Sequence, residues 1–214
     1  MTGQGQRTVD TVVFDLGGVL IEWDPRHLYR KLFEGDEPGM ERFLAEVTTA
    51  AWNLSLDAGK PFGEGVAELI AKHPHERARI EAYHSRWIEM ISGPIHGTVA
   101  LLEDLAERGV PLYAITNWAS ETFRIVRQDP AYAFLDLFRE IFVSGELRMT
   151  KPEPAIFRHA LGRIGREAGA CLFIDDVAAN VEAAAALGFA THRFTVPEAL
   201  AADLRARGLL PSAG

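Results

Sequence analysis

The stretch that decides the fold of this chain is VVFDLGGVL, residues 12–20. Its apolar, β-branched start predicts a buried strand, and this strand runs into the carboxylate of Asp15. An ionised carboxylate is costly to bury unless a metal ion or hydrogen bonds compensate it. Gly17 and Gly18 follow, and glycines allow a sharp turn and a close approach of the backbone to a ligand. The stretch therefore predicts a reactive or metal-bound Asp15 whose partners lie elsewhere in the chain.

Further short apolar runs follow along the chain, with helical patterns between the later ones. The predicted strands are 11–16, 111–116, 140–144, 170–174 and 189–193, and the predicted helices are 97–108, 155–164, 178–187 and 197–207. This alternation predicts an α/β fold, a Rossmann-like doubly wound parallel sheet with helices on both faces. In such sheets the ligand binds beyond the carboxyl ends of the strands.

Residues 23–92 interrupt the alternation. They contain helical patterns and no convincing strand; the patterns cover 27–33, 39–47, 63–73 and 76–91. A helical block inserted directly after the first strand predicts a small cap over the ligand end of the sheet, which would exclude water and select the substrate. We therefore expect an α/β core of residues 1–22 and 93–214 with an inserted helical cap of residues 23–92.

Three further polar clusters appear, each just after one of the other predicted strands. They are Thr116 and Asn117, then Lys151 ahead of a predicted helix, and then Asp175, Asp176 and Asn180. Clustered carboxylates bind a hard cation such as Mg²⁺, and Mg²⁺ neutralises a phosphate and holds it in line for attack. A lysine and hydrogen-bond donors stabilise a transferring phosphoryl group. An aspartate such as Asp15 would then be the nucleophile and form an aspartyl-phosphate.

These motifs resemble those of the haloacid dehalogenase (HAD) superfamily of hydrolases. The matching motifs are DLGGV at residues 15–19, Thr116-Asn117, Lys151-Pro152 and DDxxxN at residues 175–180, in the family's order and spacing along essentially the whole chain. The helical insert is similar to the C1-type cap of subfamily I. Each motif alone fits a strand end, a helix cap or a surface lysine, but four of them together at successive strand ends indicate this family.

The resemblance implies a metal site. Asp15 matches the nucleophile and a Mg²⁺ ligand, and the Gly17 carbonyl matches a backbone ligand. Asp176 would bind the metal directly, and Asp175 directly or through water. Asn180 would orient Lys151 or the acidic pair from behind.

The resemblance also implies a phosphate site. Thr116 and Asn117 match the family's phosphate-binding pair, and Lys151 matches its charge-neutralising lysine. The backbone at Gly18 would add a hydrogen-bond donor. Thr116 and Lys151 would thus assist Asp15 in catalysis.

Gly17 departs from the pattern of most phosphatases of the family, which carry a second Asp two residues after the nucleophile. That Asp protonates the leaving oxygen and then activates water, and such proton transfer is worth about 10²–10⁴-fold. The chain also resembles a bacterial subgroup, including sugar-phosphate phosphatases, with Asp-x-Gly-x-Val at this motif. The cap region offers replacement acids: we favour Asp24, where the chain leaves the sheet, ahead of Glu22, His27 and Asp57. Asp24 equally fits the role of a helix cap.

The composition excludes several classes of partner and compartment. A net charge of -8 without a Lys/Arg run argues against binding to nucleic acid or anionic membranes. The single cysteine, Cys171, excludes an internal disulfide, suits the cytoplasm and is typical of a small buried hydrophobe. The polar residues 1–10 lack the apolar core of a signal peptide, and no run is long enough for a membrane span.

The aromatic residues are less decisive. Trp118 either walls the pocket or is ordinary packing, whereas Trp23, Trp52 and Trp87 are typical of the core of the helical block. The pair at residues 73 and 75, both His, indicates a surface turn rather than a metal site.

The sequence therefore predicts a Mg²⁺-dependent phosphomonoester hydrolase acting on a small, soluble phosphorylated metabolite. Sugar phosphates, nucleotides and other small esters remain open, and the sequence makes no prediction of the oligomeric state. One alternative is hydrolytic dehalogenation of a 2-haloacid, which the acidic pair and the lack of an arginine between Asp15 and Arg26 disfavour. The other is a catalytically weak Mg²⁺- or phosphate-binding regulatory protein, supported only by Gly17.

Overall fold

The structure is a computed structural model and describes residues 9–212. Residues 1–8 and 213–214 lie outside the described part. The expectation that residues 1–10 form no signal peptide therefore falls mostly outside the described residues. The strands are β1 (Thr11–Phe14), β2 (Ile21–Trp23), β3 (Ile91–Pro94), β4 (Leu112–Thr116), β5 (Glu140–Val143), β6 (Cys171–Asp175) and β7 (Ala190–Arg193). The α-helices are α1 (Arg26–Phe33), α2 (Glu37–Glu46), α3 (Ala50–Asp57), α4 (Phe62–Lys72), α5 (Arg77–Ser85), α6 (His96–Glu107), α7 (Ser120–Gln128), α8 (Ser144–Leu147), α9 (Pro154–Ile164), α10 (Ala178–Ala186) and α11 (Pro197–Ala206).

Five strands form one parallel sheet in the order β5-β4-β1-β6-β7. The strand that precedes Asp15 is therefore the central one, with β4 on one side and β6 on the other. All five lie within two residues of the predicted bounds. The predicted α/β, doubly wound fold is confirmed.

Both faces of β1 are buried, which accounts for its unbroken apolar sequence. Val12 and Phe14 pack into one hydrophobic cluster, which continues into the helical block. Val13 faces the opposite cluster with Ile115 and Phe173 of the neighbouring strands. This packing on two sides fixes the position of the strand and of Asp15 at its end.

Helices α1–α5 follow β2. The chain then passes through β3, which pairs with β2, before it returns to the five-stranded sheet. The prediction that residues 23–92 contain no strand is wrong, because β3 begins at Ile91 and pairs antiparallel with β2. The predicted helix 76–91 is likewise replaced by α5, a 3₁₀ turn (Trp87–Met90) and β3. Here pairing with β2 overrides the local helical pattern. The division into core and cap at residues 22 and 93 remains a proposal.

Three helices were not predicted at all: α3 inside this block, α7 after β4 and the short α8 after β5. The core of the block is aromatic: Tyr29 lies 4.9 Å from Phe43 and 6.3 Å from Tyr83, measured between ring centroids. Across residues 9–212, no helix combines the length and the apolar character that crossing a membrane requires.

Candidate active site

The predicted site residues converge at the carboxyl end of the sheet. Asp15 follows β1, Asn117 follows β4, and Asp175 is the last residue of β6. Because these three strands are neighbours and parallel, their ends meet at one edge of the sheet. A cavity of about 340 Å³ opens there. Its walls include Asp15, Gly17, Gly18, Asn117, Lys151, Asp176 and Asn180.

Lys151 lies at the centre of this arrangement. Its ammonium Nζ is 2.8 Å from Asp15 Oδ1 and 2.7 Å from Asp175 Oδ2, and only 1% of its side chain is exposed. A charge buried this deeply requires partners. Lys151 therefore ties the end of β1 to the end of β6.

The electrostatics show a surplus of negative charge. Burial raises the pKa of Asp15, Lys151 opposes this shift, and Asp175 and Asp176 reinforce it. Burial and the charge of Asp175 also raise the pKa of Asp176. Burial disfavours the charge of Lys151, but Asp15 and Asp175 outweigh that effect and raise the pKa of Lys151. One ammonium thus faces three carboxylates.

The two oxygens of Asp15 have different surroundings. Oδ1 accepts the backbone N–H of Leu16 at 2.7 Å and pairs with Lys151. Within residues 9–212, Oδ2 accepts no hydrogen bond from the protein. One oxygen is therefore fixed by the protein, and the other is available to a ligand in the cavity.

Asp175, by contrast, is saturated with donors and fully buried. Oδ1 accepts the backbone N–H of Val177 at 2.8 Å, and Oδ2 pairs with Lys151. The amide of Asn180 lies 3.1 Å and 3.0 Å from the two oxygens. The structure thus brings Asn180 to Asp175, and this geometry favours an indirect role for Asp175 at a metal.

Of the predicted phosphate-binding pair, Asn117 lines the cavity and Thr116 does not, and their role at a phosphate stays a prediction. Asn117 clamps the backbone of Lys151, because its Oδ1 accepts the Lys151 N–H at 2.8 Å and its amide donates to the Lys151 carbonyl at 2.9 Å. Thr116 is buried at the end of β4 and is not among the residues that line the cavity. Asn117 therefore positions Lys151, and one amide hydrogen remains for a ligand.

The two glycines after Asp15 serve different purposes. Gly18 has φ +73°, and a Cβ added there would lie 2.6 Å from Asp176 Oδ2, so only glycine lets the two segments approach this closely. A Cβ added at Gly17 would meet nothing within 4 Å. The missing second Asp is therefore not due to a lack of space.

The helical side of the cavity is largely aromatic. Trp23, Phe62, Trp87 and Trp118 line it, and the rings of Trp87 and Trp118 lie 5.7 Å apart. Trp118 is thus a pocket wall. Trp52 instead donates its indole N–H to the Gly65 carbonyl within the helical block.

Among the proposed replacement acids, the cavity takes in only Asp57, at the end of α3. The favoured candidate, Asp24, accepts the backbone N–H of Arg26 at 2.9 Å and contacts its guanidinium, so it stabilises the start of α1. Glu22 and His27 do not line the cavity either. The Nε2 atom of His27 lies 3.5 Å from Oε1 of Glu22.

The cavity also includes Asn53 of α3, a residue that the sequence motifs did not single out. The sequence does contain a pattern that could have indicated this residue. Asn53 and Asp57 are one helical turn apart, and both follow Thr49, a typical N-cap residue.

The site fits a divalent cation. Asp15, Asp175 and Asp176 each place a carboxylate oxygen within 4.8 Å of the others, and the described residues contain no other such group of three. His73 and His75 accordingly belong to no such cluster. Carboxylate oxygens are the ligands that Mg²⁺ prefers, and its charge would balance the surplus negative charge.

Comparisons with known proteins place the chain among hydrolases and beside phosphatases. A family model described as haloacid dehalogenase-like hydrolase matches residues 9–188. A sesquiterpene phosphatase of Aspergillus oryzae is 26% identical over 198 residues, covering 92% of this chain and 96% of the relative. A phosphoglycolate phosphatase of Pectobacterium atrosepticum is 27% identical over 124 residues, covering 58% of this chain and 52% of the relative.

The fold recurs among solved structures. A HAD family enzyme of Bacteroides thetaiotaomicron, crystallised with magnesium and inorganic phosphate, superimposes with a TM-score of 0.67 at 23% identity. The match covers 88% of this chain and 95% of that enzyme.

Proposed function

Since the chain belongs to the haloacid dehalogenase-like hydrolase family, we propose that it hydrolyses phosphate monoesters of small metabolites with the help of Mg²⁺. The observation that carries this proposal is the geometry of Asp15. Lys151 and the Leu16 N–H hold one of its oxygens, and the other is left for a ligand in the cavity. Two relatives named as phosphatases and the neighbour crystallised with magnesium and phosphate support it.

In the first step, Asp15 Oδ2 attacks the phosphorus of the ester. The bond from Asp15 to phosphorus forms as the bond from phosphorus to the leaving oxygen breaks, and that oxygen takes up a proton. Lys151 lies beside Asp15 and offsets the charge of the phosphoryl group. The hydrogen bonds from Leu16 and Lys151 fix the carboxylate in one orientation, which lowers the entropic cost of the attack.

In the second step, water attacks the phosphorus of the aspartyl-phosphate. The bond to Asp15 breaks, inorganic phosphate leaves, and Asp15 returns to its ionised form. Asp15, Asp176 and the Gly17 carbonyl would hold Mg²⁺, which when bound supplies positive charge against the phosphate oxygens. Asn180 and Asp175 keep Lys151 in place throughout.

The volume of the cavity limits the size of the substrate. About 340 Å³ is near the lower end of the range for small-molecule sites, so the leaving group is a small metabolite. The aromatic walls Trp23, Phe62 and Trp87 favour a leaving group with apolar surface. The proposal keeps the cytoplasmic setting expected from the single cysteine, which is buried.

The cavity walls argue against a 2-haloacid. A carboxylate substrate needs a cation to grip it, and no arginine is found among the described residues that line the cavity. Arg26, the nearest arginine after Asp15 in sequence, is paired with Glu41 through two hydrogen bonds. The residues present therefore suit a phosphate held by metal and lysine better than a free carboxylate.

The test is phosphate release from a panel of sugar, nucleotide, aryl and prenyl phosphates. Wild type is assayed with Mg²⁺ and with chelator, beside Asp15→Asn and the control Asp104→Asn, an exposed Asp on α6. We expect release that requires both Mg²⁺ and Asp15 and that survives in the control. Halide release from 2-haloacids without phosphate release from any ester would overturn the proposal.

A further inference from the structure

The proposed hydrolysis leaves one proton unassigned. An alkoxide leaves slowly unless an acid protonates it, and the water of the second step needs a base. Gly17 has no side chain to serve either need. Resting on the proposed function, we propose that Asp57, at the end of α3, protonates the leaving oxygen and then removes a proton from the attacking water.

Elimination within the cavity points to this residue. The titratable side chains among the described cavity residues are Asp15, Asp57, Lys151 and Asp176. Asp15 is the nucleophile, and Asp176 belongs to the acidic cluster. Lys151 is 1% exposed and pairs with both Asp15 and Asp175. Asp57 is the member of this set that comes from the helical block and has no role yet.

A chain of hydrogen bonds holds the Asp57 carboxylate in place. The hydroxyl of Tyr83 donates to Asn53 Oδ1 at 2.6 Å, and the Asn53 amide donates to Asp57 Oδ2 at 2.9 Å. Tyr83 is fully buried in the core of the block, so the chain begins from a fixed point. A carboxylate fixed in this way is pre-oriented for proton transfer, as a catalytic acid must be.

The backbone of Asp57 is tied to the sheet as well. Ser144 Oγ donates to the Asp57 carbonyl at 2.6 Å and accepts the backbone N–H of Trp118 at 2.9 Å. Ser144 directly follows β5, and Trp118 lies two residues after β4. The end of α3 is therefore anchored at the same edge of the sheet as the nucleophile.

The protonation behaviour of Asp57 agrees with this role. Burial raises its pKa to about 7, and the backbone of Ala119, the charge of Lys151 and the Asn53 amide offset this only in part. A group with a pKa near the working pH can give a proton in one step and take one in the next.

The proton follows a balanced course. In the first step, the Asp57 proton goes to the ester oxygen as its bond to phosphorus breaks. In the second step, a proton of the attacking water goes to the Asp57 carboxylate as the bond from phosphorus to Asp15 breaks. Asp57 thus ends each turnover protonated, as it began.

The first experiment compares two esters in Asp57→Asn. A nitrophenyl phosphate releases a stable anion without a proton, whereas an alkyl phosphate needs one. We expect kcat/KM for the alkyl ester to fall by about 10²–10⁴-fold and that for the nitrophenyl ester to change little. Slowed hydrolysis of the intermediate should also produce a burst of nitrophenol. Asp24→Asn is the matched control and should leave both esters unaffected.

Two further variants extend the test, and the first of them keeps the proposal falsifiable if Asp57→Asn folds poorly. Asn53→Ala should show the same selective loss for the alkyl ester in a weaker form, because only the orientation of Asp57 is lost. Adding Gly17→Asp to Asp57→Asn should restore alkyl-ester turnover, since position 17 has room for a side chain.

An equal loss for both esters would overturn the proposal, because it would mean that Asp57 is only structural. Full alkyl-ester activity in Asp57→Asn would overturn it as well. Both results require an active wild type. A wild type that releases phosphate from neither ester would instead overturn the proposed function, and this inference with it.

Discussion

Replacing Lys151 by Met tests whether the buried ion cluster is built as described. The Nζ atom lies 2.8 Å from Asp15 and 2.7 Å from Asp175, at 1% exposure. Methionine keeps much of the side-chain length and removes the charge, so two buried carboxylates lose their counter-ion. Removing one partner of a buried ion pair costs about 3–5 kcal/mol. When Asp15 takes up a proton it loses its charge, and this offsets part of the cost. We therefore expect the free energy of unfolding to fall by about 3 kcal/mol near pH 8.

This loss has a defined pH dependence. Without Lys151 the pKa of Asp15 rises further in the folded state, so the folded protein binds a proton that the unfolded chain has released. Its stability then falls as the pH rises above the ordinary carboxyl range. Near pH 4 an unfolded Asp is about half protonated, so the two states differ less in bound protons and the difference from wild type should shrink.

The assay is urea denaturation followed by tryptophan fluorescence, with a chelator present so that no cation replaces Lys151. The matched control is Lys31→Met, whose ammonium pairs with Glu89 at 2.8 Å but is 56% exposed. An exposed pair is worth at most about 1 kcal/mol. A loss in Lys151→Met no larger than that of the control would refute the reasoning.

Three further predictions follow from single contacts. Burial raises the pKa of Asp57 to about 7, so between the ordinary carboxyl pKa near 4 and this value the folded protein keeps a proton that the unfolded chain has released, and stability falls as the pH rises across that window; Asp57→Asn should stabilise the protein by about 2 kcal/mol near pH 8 and by much less near pH 4, and equal melting temperatures of variant and wild type at both pH values would contradict this. Gly18→Ala forces φ +73° on a residue with a Cβ and crowds Asp176; it should cost about 1–2 kcal/mol and weaken Mg²⁺ binding in calorimetry, and unchanged affinity would count against the metal site. Ser144→Ala leaves the Asp57 carbonyl and the Trp118 N–H without their partner; urea denaturation should show a loss of about 1–3 kcal/mol, and no loss would mean that water replaces the hydroxyl.

The parallel sheet was predictable because its strands are buried on both faces. Residues 12–14, just before Asp15, and residues 171–174, just before Asp175, are apolar without interruption, and such short runs are typical of strands in the middle of a parallel sheet. Because the carboxyl ends of parallel strands meet at one edge of the sheet, where ligands bind, the strand assignment alone predicts that Asp15, Asp175 and Asp176 lie together.

Within the helical block, α1, α2 and α4 were predicted to within two residues at each end, whereas α3 and β3 were missed. Helix α3 was missed because its eight residues have little amphipathic pattern, although Thr49 accepts the Trp52 N–H as an N-cap. Strand β3 was missed because its pairing with β2 is a contact between segments far apart in sequence. The acid on α3 was consequently ranked behind Asp24, which is nearer to the sheet along the chain but is engaged by Arg26.

The role of Asn117 also depended on distant contacts. Its sequence position beside Thr116 suggests a phosphate ligand, whereas its amide holds the backbone of Lys151, 34 residues away. Nothing in the spacing of the motifs shows which of several polar groups a side chain meets. The sequence thus predicts the polar residues at the strand ends, and the structure shows which of them hold the others in place.

The central claim is that water attacks the phosphorus, and not the carboxyl carbon, of the intermediate on Asp15. A single turnover in water labelled with heavy oxygen, followed by mass spectrometry of the phosphate and of the peptide containing Asp15, tests this directly. The account predicts that the label appears in inorganic phosphate and not in Asp15. Label in the Asp15 carboxylate would contradict it, because water would then have attacked the carboxyl carbon of an ester intermediate.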